Sequence, residues 1–129
     1  MLTCVFDDCV EQYVQQTFPA RREDLLQIIE MMRAVAPEAE LVNDLGIPYF
    51  KLCSGWLYGV AARVDHICIY FSDLSVLHSF RSRLPRAQFG DDCLIIHRLD
   101  DINLNVFMEL LGQIKVHFFI NHQESSDLN

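Results

Sequence analysis

Apolar residues recur every three or four positions in four segments of the chain, which is the spacing of one buried helix face. The pattern predicts helices over about 8–16, 20–36, 73–84 and 103–120. Pro19 lies where the second helix should begin, and Pro37 and Pro85 lie where the second and third should end. Proline is accepted in the first turn of a helix but stops a helix elsewhere, so these three residues support the predicted boundaries.

Between these segments the pattern changes to short runs of aromatic and β-branched residues, which predict strands over about 48–53, 56–63, 66–71 and 93–98. The short connections Ser54-Gly55 and Val64-Asp65 favour an antiparallel meander for the first three strands. A two-residue connection at Val64-Asp65 predicts three pairs: Ala62 with Ile67, Val60 with Ile69 and Tyr58 with Phe71. The order ααβββαβα predicts a single-domain α+β sandwich, with helices on a mostly antiparallel four-stranded sheet. This domain should span residues 1–120, with the polar residues 121–129 as a flexible tail.

One group of side chains near the first hairpin is a candidate binding surface. A two-residue connection at Ser54-Gly55 pairs Lys51 with Tyr58 and Tyr49 with Val60. The candidate group on one sheet face is then Tyr49, Lys51, Trp56 and Tyr58. Three interpretations remain open: rings packed under the helices, a small-ligand pocket, or a homodimer interface.

His66 and Cys68 are a second candidate, because they alternate along the third predicted strand and so share a face, with Tyr70 next on that face. Histidine and cysteine are the residue types of a catalytic dyad or a metal site. The alternative is a polar strand end beside a buried thiol. Because the chain contains no nucleophile elbow, no H-E-x-x-H pair and no phosphate-binding glycine loop, we expect a protein that is not an enzyme.

The charge balance restricts the partners. The 129 residues include 10 basic and 18 acidic ones, a net charge of -8, which disfavours binding to nucleic acid. The apolar runs are too short to cross a bilayer, so we expect no membrane partner. The five cysteines include no C-x-x-C pair, which is typical of a reducing, cytoplasmic environment.

The acidic residues include a candidate metal-binding set. Asp7 and Glu11 are four residues apart on the first helix, and Glu23 and Glu30 lie on one side of the second. Carboxylate oxygens are the ligands of hard cations, so this set could contact a metal weakly, although solvated acidic faces also keep proteins soluble. We expect no tightly bound cofactor.

Three segments form a recognisable pattern: PEAE at 37–40, LGIPYF at 45–50 and AARVDHICIY at 61–70. They resemble the YdhG-like family, a group of small bacterial proteins of unknown function. The chain departs from the family pattern at Leu45, where a tyrosine is common, at Val64, where a lysine is frequent, and at His97-Arg98-Leu99. The resemblance implies an α+β fold over most of residues 8–118. It also implies weak iron binding, because some members are described as frataxin-like intracellular iron chaperones.

The leading hypothesis is therefore a non-enzymatic protein that binds iron weakly through Asp7, Glu11, Glu23 and Glu30. The alternative is a homodimeric or small-ligand-binding module that uses the aromatic sheet face.

Overall fold

The computed structural model describes the backbone of residues 8–127 and the side chains of residues 9–121. Four helices and six strands follow one another in this part of the chain. In chain order they are α1 (Asp8–Gln16), α2 (Pro19–Val35), β1 (Glu40–Asp44), β2 (Ile47–Leu52), β3 (Gly55–Ala62), β4 (Ile67–Phe71), α3 (Leu74–Ser79), β5 (Gln88–Phe89), β6 (Cys93–Ile96) and α4 (Leu104–Asp127).

The strands form one antiparallel sheet in the order β1-β2-β3-β4-β6-β5. The α+β class is confirmed, but the four-stranded count and the order ααβββαβα are wrong, because the sheet has six strands within the described residues. β1 was missed because its sequence ELVND has few strand-forming residues, and β5 because it is only two residues long.

All four helices place their buried side chains on one side of the sheet. The largest contributions come from Leu25, Ile28, Ile29 and Met32 of α2 and from Phe107, Leu110, Leu111 and Ile114 of α4. They pack against the strand residues Phe50, Tyr58, Val60, Ile69 and Phe71, which are almost fully buried. We call the opposite side of the sheet the open face, because the helices of residues 8–127 do not pack on it.

The helix ends follow local signals. Pro19 occupies the first turn of α2, as predicted. The Asp73 carboxylate accepts a hydrogen bond from the Val76 amide and caps α3. α3 ends at Ser79, earlier than predicted, and a short 3₁₀ helix (Arg81–Arg83) follows. α4 continues to Asp127, beyond the predicted end, and the flexibility of the tail stays a prediction. Among the described residues, no helix is both long and apolar enough to span a membrane.

The β2–β3 hairpin contains an irregularity that changes which side chains share a face. Its turn is Cys53-Ser54, so that Leu52 pairs with Gly55 and Lys51 with Trp56. The register then shifts at Phe50/Lys51, which makes Tyr58 the partner of Phe50 and Gly59 the partner of Tyr49. The predicted pairs of Lys51 with Tyr58 and Tyr49 with Val60 are therefore wrong. An extra residue in one strand turns the following side chains to the other face.

The β3–β4 hairpin has the register predicted from its short connection. Tyr58 pairs with Phe71, Val60 with Ile69 and Ala62 with Ile67, as expected for a connection at Val64-Asp65. This hairpin carries the register of β3 across to β4, so the open face continues over both strands.

The β1–β2 turn contains a strained residue, and its replacement should stabilise the protein. Leu45 and Gly46 have φ of 55° and 87°, the left-handed pair that type I′ hairpins require and that Asn-Gly fits best. The Leu45 side chain is 87% exposed and so contributes little packing. We expect Leu45→Asn to raise the free energy of unfolding by about 1 kcal/mol, measured by urea titration. Leu45→Ala, which keeps the left-handed strain, should change it little; an equal gain for both variants would contradict this explanation.

Candidate binding face of the sheet

The open face carries apolar and aromatic side chains where a sheet facing solvent usually carries polar ones. The pairings across the strands define two adjacent rows on this face. The first row is Val42, Tyr49, Gly59, Tyr70 and Cys93, and the second is Ala61, Cys68, Ile95 and Gln88. Trp56 also lies on this face, beside Lys51.

Tyr49 and Trp56 form an aromatic platform over β3. The Tyr49 ring lies against Gly59, where an added β-carbon would be only 2.5 Å from Cε1 of the ring. The edge of one ring meets the face of the other, with Tyr49 and Trp56 centroids 5.3 Å apart and planes at 86°. Burial raises the pKa of the Tyr49 hydroxyl above its ordinary value. Glycine at position 59 thus allows a tyrosine ring to lie directly on the sheet.

Opposite charges lie close together on the open face. The Lys51 ammonium donates a hydrogen bond to Oδ2 of Asp44 at 2.8 Å, and this bond lowers the pKa of the Asp44 carboxyl. The Tyr70 side chain raises the pKa of the Arg63 guanidinium. Glu40 lies opposite Lys51 on β1, and the Asp92 carboxylate lies beside Cys93. Two cations thus face three carboxylates, so the face carries only a small part of the net charge of -8.

Two thiols lie side by side on the open face. Cys68 on β4 and Cys93 on β6 are nearly buried, with 8% and 9% of their surface exposed. They occupy diagonal positions, since Cys68 lies opposite Ile95 and Cys93 opposite Tyr70. Burial, together with the neighbouring Cys68 and the Asp92 carboxylate, raises the pKa of the Cys93 thiol to about 11. Cys93 is therefore a protonated thiol at neutral pH.

The structure brings Tyr49, Lys51 and Trp56 together, as predicted, but removes Tyr58 from the group. Tyr58 is fully buried on the helix side of the sheet, where its hydroxyl donates a hydrogen bond to the Leu111 carbonyl at 2.6 Å. Burial strongly raises the pKa of this hydroxyl. The register shift in the β2–β3 hairpin is the reason, because it turns Tyr58 to the face opposite Trp56.

His66 and Cys68 have separate partners. Nδ1 of His66 lies 2.7 Å from Oδ1 of Asp65, and this hydrogen bond lowers the pKa of the Asp65 carboxyl. The His66 ring also meets the edge of His97, with centroids 6.0 Å apart. Cys68 instead lies opposite Ile95 on β6 and diagonally beside Cys93. These contacts give no support to a dyad of His66 and Cys68.

The predicted carboxylate ligands lie on exposed helix surfaces. Glu11 is exposed on α1, and Glu23 and Glu30 are exposed on α2, whereas Asp7 lies outside the described residues. Among the described side chains, no three His, Cys, Asp or Glu residues are arranged to hold a metal ion. Weak iron binding by these acids therefore stays a prediction that rests on the family resemblance.

Sequence reasoning missed the roles of Gly59, Cys93 and Ile95. Cys93 and Ile95 alternate in β6, so their common face could be anticipated from the strand alone. That β6 lies beside β4, however, depends on how the chain returns to the sheet after α3. The role of Gly59 depends on its pairing with Tyr49, which the register shift sets.

The fold and this face define the chain as an α+β sandwich with helices on one side of an antiparallel sheet and an apolar open face on the other. The structure is similar to the crystal structure of YdhG, a DUF1801-family protein from Bacillus subtilis. The TM-score is 0.73 with 10% sequence identity, over 88% of this chain and 92% of the other. No protein-family model matches the chain, and no curated protein matches it. The likeness confirms the YdhG-like resemblance for the fold, and an identity this low carries no function with it.

Proposed function

We propose that this chain is a non-enzymatic binding protein that pairs with a second copy of itself through the open face. The observation that supports the proposal is the composition of that face. Tyr49, Trp56, Tyr70 and Ile95 remain partly accessible on the side of the sheet that the helices do not cover. Contiguous apolar surface of this kind marks interaction sites in soluble proteins, and tyrosine and tryptophan are enriched there.

Shape and charge favour a second copy over other occupants. One sheet face can pack on another at about 10 Å separation, and a twofold axis makes any such face complementary to itself. The face carries only a small net charge, because Lys51 and Arg63 offset two of the three carboxylates of Glu40, Asp44 and Asp92, so that most of the excess negative charge of the chain lies elsewhere. The open face therefore has no large excess of charge that would attract an anionic or a strongly cationic partner.

The size of the face indicates how stable the dimer should be. Six strands about 4.8 Å apart, with about five residues each, give a face of roughly 24 by 16 Å. This is smaller than the patch of about 800 Å² per partner that is typical of stable complexes. We therefore expect a reversible dimer with a dissociation constant in the micromolar range.

The test is sedimentation equilibrium of the wild-type chain and of Trp56→Glu. The new carboxylate would lie opposite Lys51 on β2, where the free monomer tolerates it, but packing two copies together would bury it. We expect a wild-type dimer at about 100 µM, well above a micromolar dissociation constant, and a monomer for Trp56→Glu. Trp56 is also the single tryptophan, so its emission should shift to longer wavelength when the wild-type protein is diluted.

Phe119→Glu is the matched control, because Phe119 is a partly exposed aromatic residue on α4, on the helix side of the molecule. We expect this variant to remain dimeric. A monomeric wild-type protein at the same concentration would overturn the proposal. So would a dimer that Phe119→Glu dissociates and Trp56→Glu does not, since that result would place the interface on the helices.

A further inference from the structure

Cys68 and Cys93 are held together by the sheet itself. β4 and β6 pair so that Cys68 lies opposite Ile95 and Tyr70 opposite Cys93, which makes the two cysteines diagonal neighbours on the open face. Both side chains are almost closed off from solvent. Neither belongs to the main core cluster beneath the helices.

The diagonal geometry is unsuited to a disulfide. Diagonal neighbours on paired strands are about 7–8 Å apart, whereas disulfides join Cα atoms about 4.4–6.8 Å apart. A metal ion bound between two cysteine sulfur atoms allows a larger separation of the two residues than a disulfide bond does. Two metal–sulfur bonds of about 2.3 Å span up to about 4.6 Å between the sulfur atoms, a separation that side chains on diagonal positions of paired strands can reach.

We propose that Cys68 and Cys93 bind one soft monovalent cation of the Cu(I) class as a pair of thiolates. Thiolates select soft ions, and two-coordinate geometry is natural for a monovalent ion with a filled d shell. Zinc takes four ligands, and the described residues offer no set of three or more metal-binding side chains. Binding forms two metal–sulfur bonds and releases the two thiol protons to solvent, and the oxidation state of the metal does not change.

One neighbouring charge favours this product and one opposes it. Two thiolates and one monovalent cation carry a net charge of -1; the Arg63 guanidinium interacts electrostatically with Cys68, whereas the Asp92 carboxylate lies beside Cys93. Gly90 leaves room beside the other sulfur, since a β-carbon there would lie 3.0 Å from Sγ of Cys93. The site requires only one copy of the chain, so it does not rest on the proposed dimer.

The test is anaerobic titration of the reduced protein with Cu(I), in competition with bicinchoninate. A variant with Cys4→Ser, Cys9→Ser and Cys53→Ser keeps only Cys68 and Cys93. It should bind one Cu(I) ion as tightly as these two cysteines do in the wild-type protein. Adding either Cys68→Ser or Cys93→Ser to this variant should weaken binding at least about 100-fold, because a two-coordinate site cannot lose a ligand. Circular dichroism checks that each variant is folded.

The pH dependence provides a second readout. Binding releases the protons of both thiols to solvent, so affinity should fall at least about tenfold for each unit by which the pH is lowered. Binding that survives Cys68→Ser or Cys93→Ser would overturn the site, as would equally tight binding of Zn(II). Trp56→Glu should bind Cu(I) with wild-type affinity. Cu(I) binding and dimer formation can therefore be tested independently of each other.

Discussion

Replacing Tyr58 by alanine should lower the free energy of unfolding by about 3–5 kcal/mol, among the largest losses expected for a single side chain. Tyr58 has no exposed surface. Its ring contacts Phe50 and Phe71, with centroids 6.0 and 6.2 Å away, and its hydroxyl hydrogen-bonds Leu111 of α4. The substitution would leave a cavity where the sheet meets α4. Urea titration followed by circular dichroism measures the loss.

Tyr58→Phe separates the hydroxyl from the ring. This substitution should lower the free energy of unfolding by about 1 kcal/mol, near the low end for a buried hydrogen bond. The loss is small because the Leu111 carbonyl also accepts the helical hydrogen bond from the Lys115 amide and so keeps a partner. Tyr49→Ala is the matched control, since Tyr49 is a tyrosine on the open face, and it should cost only about 1 kcal/mol. Equal losses for Tyr58→Ala and Tyr49→Ala would show that Tyr58 does not lie in the core.

Features set by neighbouring residues could be predicted from the sequence. Pro19 marks the start of α2 because a proline ring fits only the first helical turn. The β3–β4 register follows from the short connection at Val64-Asp65, which leaves little freedom in how the two strands align. In both cases the deciding interaction lies within a few residues along the chain.

Features that depend on a single-residue shift, or on contacts between distant segments, could not be predicted from the sequence. The irregularity at Phe50/Lys51 turns the Tyr58 side chain to the helix side of the sheet, and no nearby residue type indicates it. An error of one residue in the predicted register therefore placed Tyr58 on the wrong face. The diagonal placement of Cys68 and Cys93 joins strands that α3 and β5 separate along the chain. Tyr49 and Lys51 still share a face because they alternate on β2, which has no extra residue, and Trp56 lies opposite Lys51 on the turn side of the shift.

Gly59→Ala should lower the free energy of unfolding by about 1–3 kcal/mol, the usual cost of overpacking. The added β-carbon would lie 2.5 Å from Cε1 and 2.8 Å from Cδ1 of Tyr49, so the ring must move off the strand and away from Trp56. The same change should alter the emission of Trp56, because its edge contact with Tyr49 is lost. Urea titration and fluorescence measure the two effects.

A double-mutant cycle with Tyr49→Ala tests the cause. Without the ring, Gly59→Ala should instead stabilise the protein by about 0.5–1 kcal/mol, because alanine restricts the unfolded chain more than glycine does. The sign of the effect should thus reverse with the identity of residue 49. Gly112→Ala in α4 is the matched control: a β-carbon there meets no atom within 4 Å, so alanine should stabilise the helix by about 1 kcal/mol. If Gly59→Ala stays destabilising after Tyr49→Ala, the cost arises in the backbone of β3, and the aromatic platform is not what requires glycine at this position.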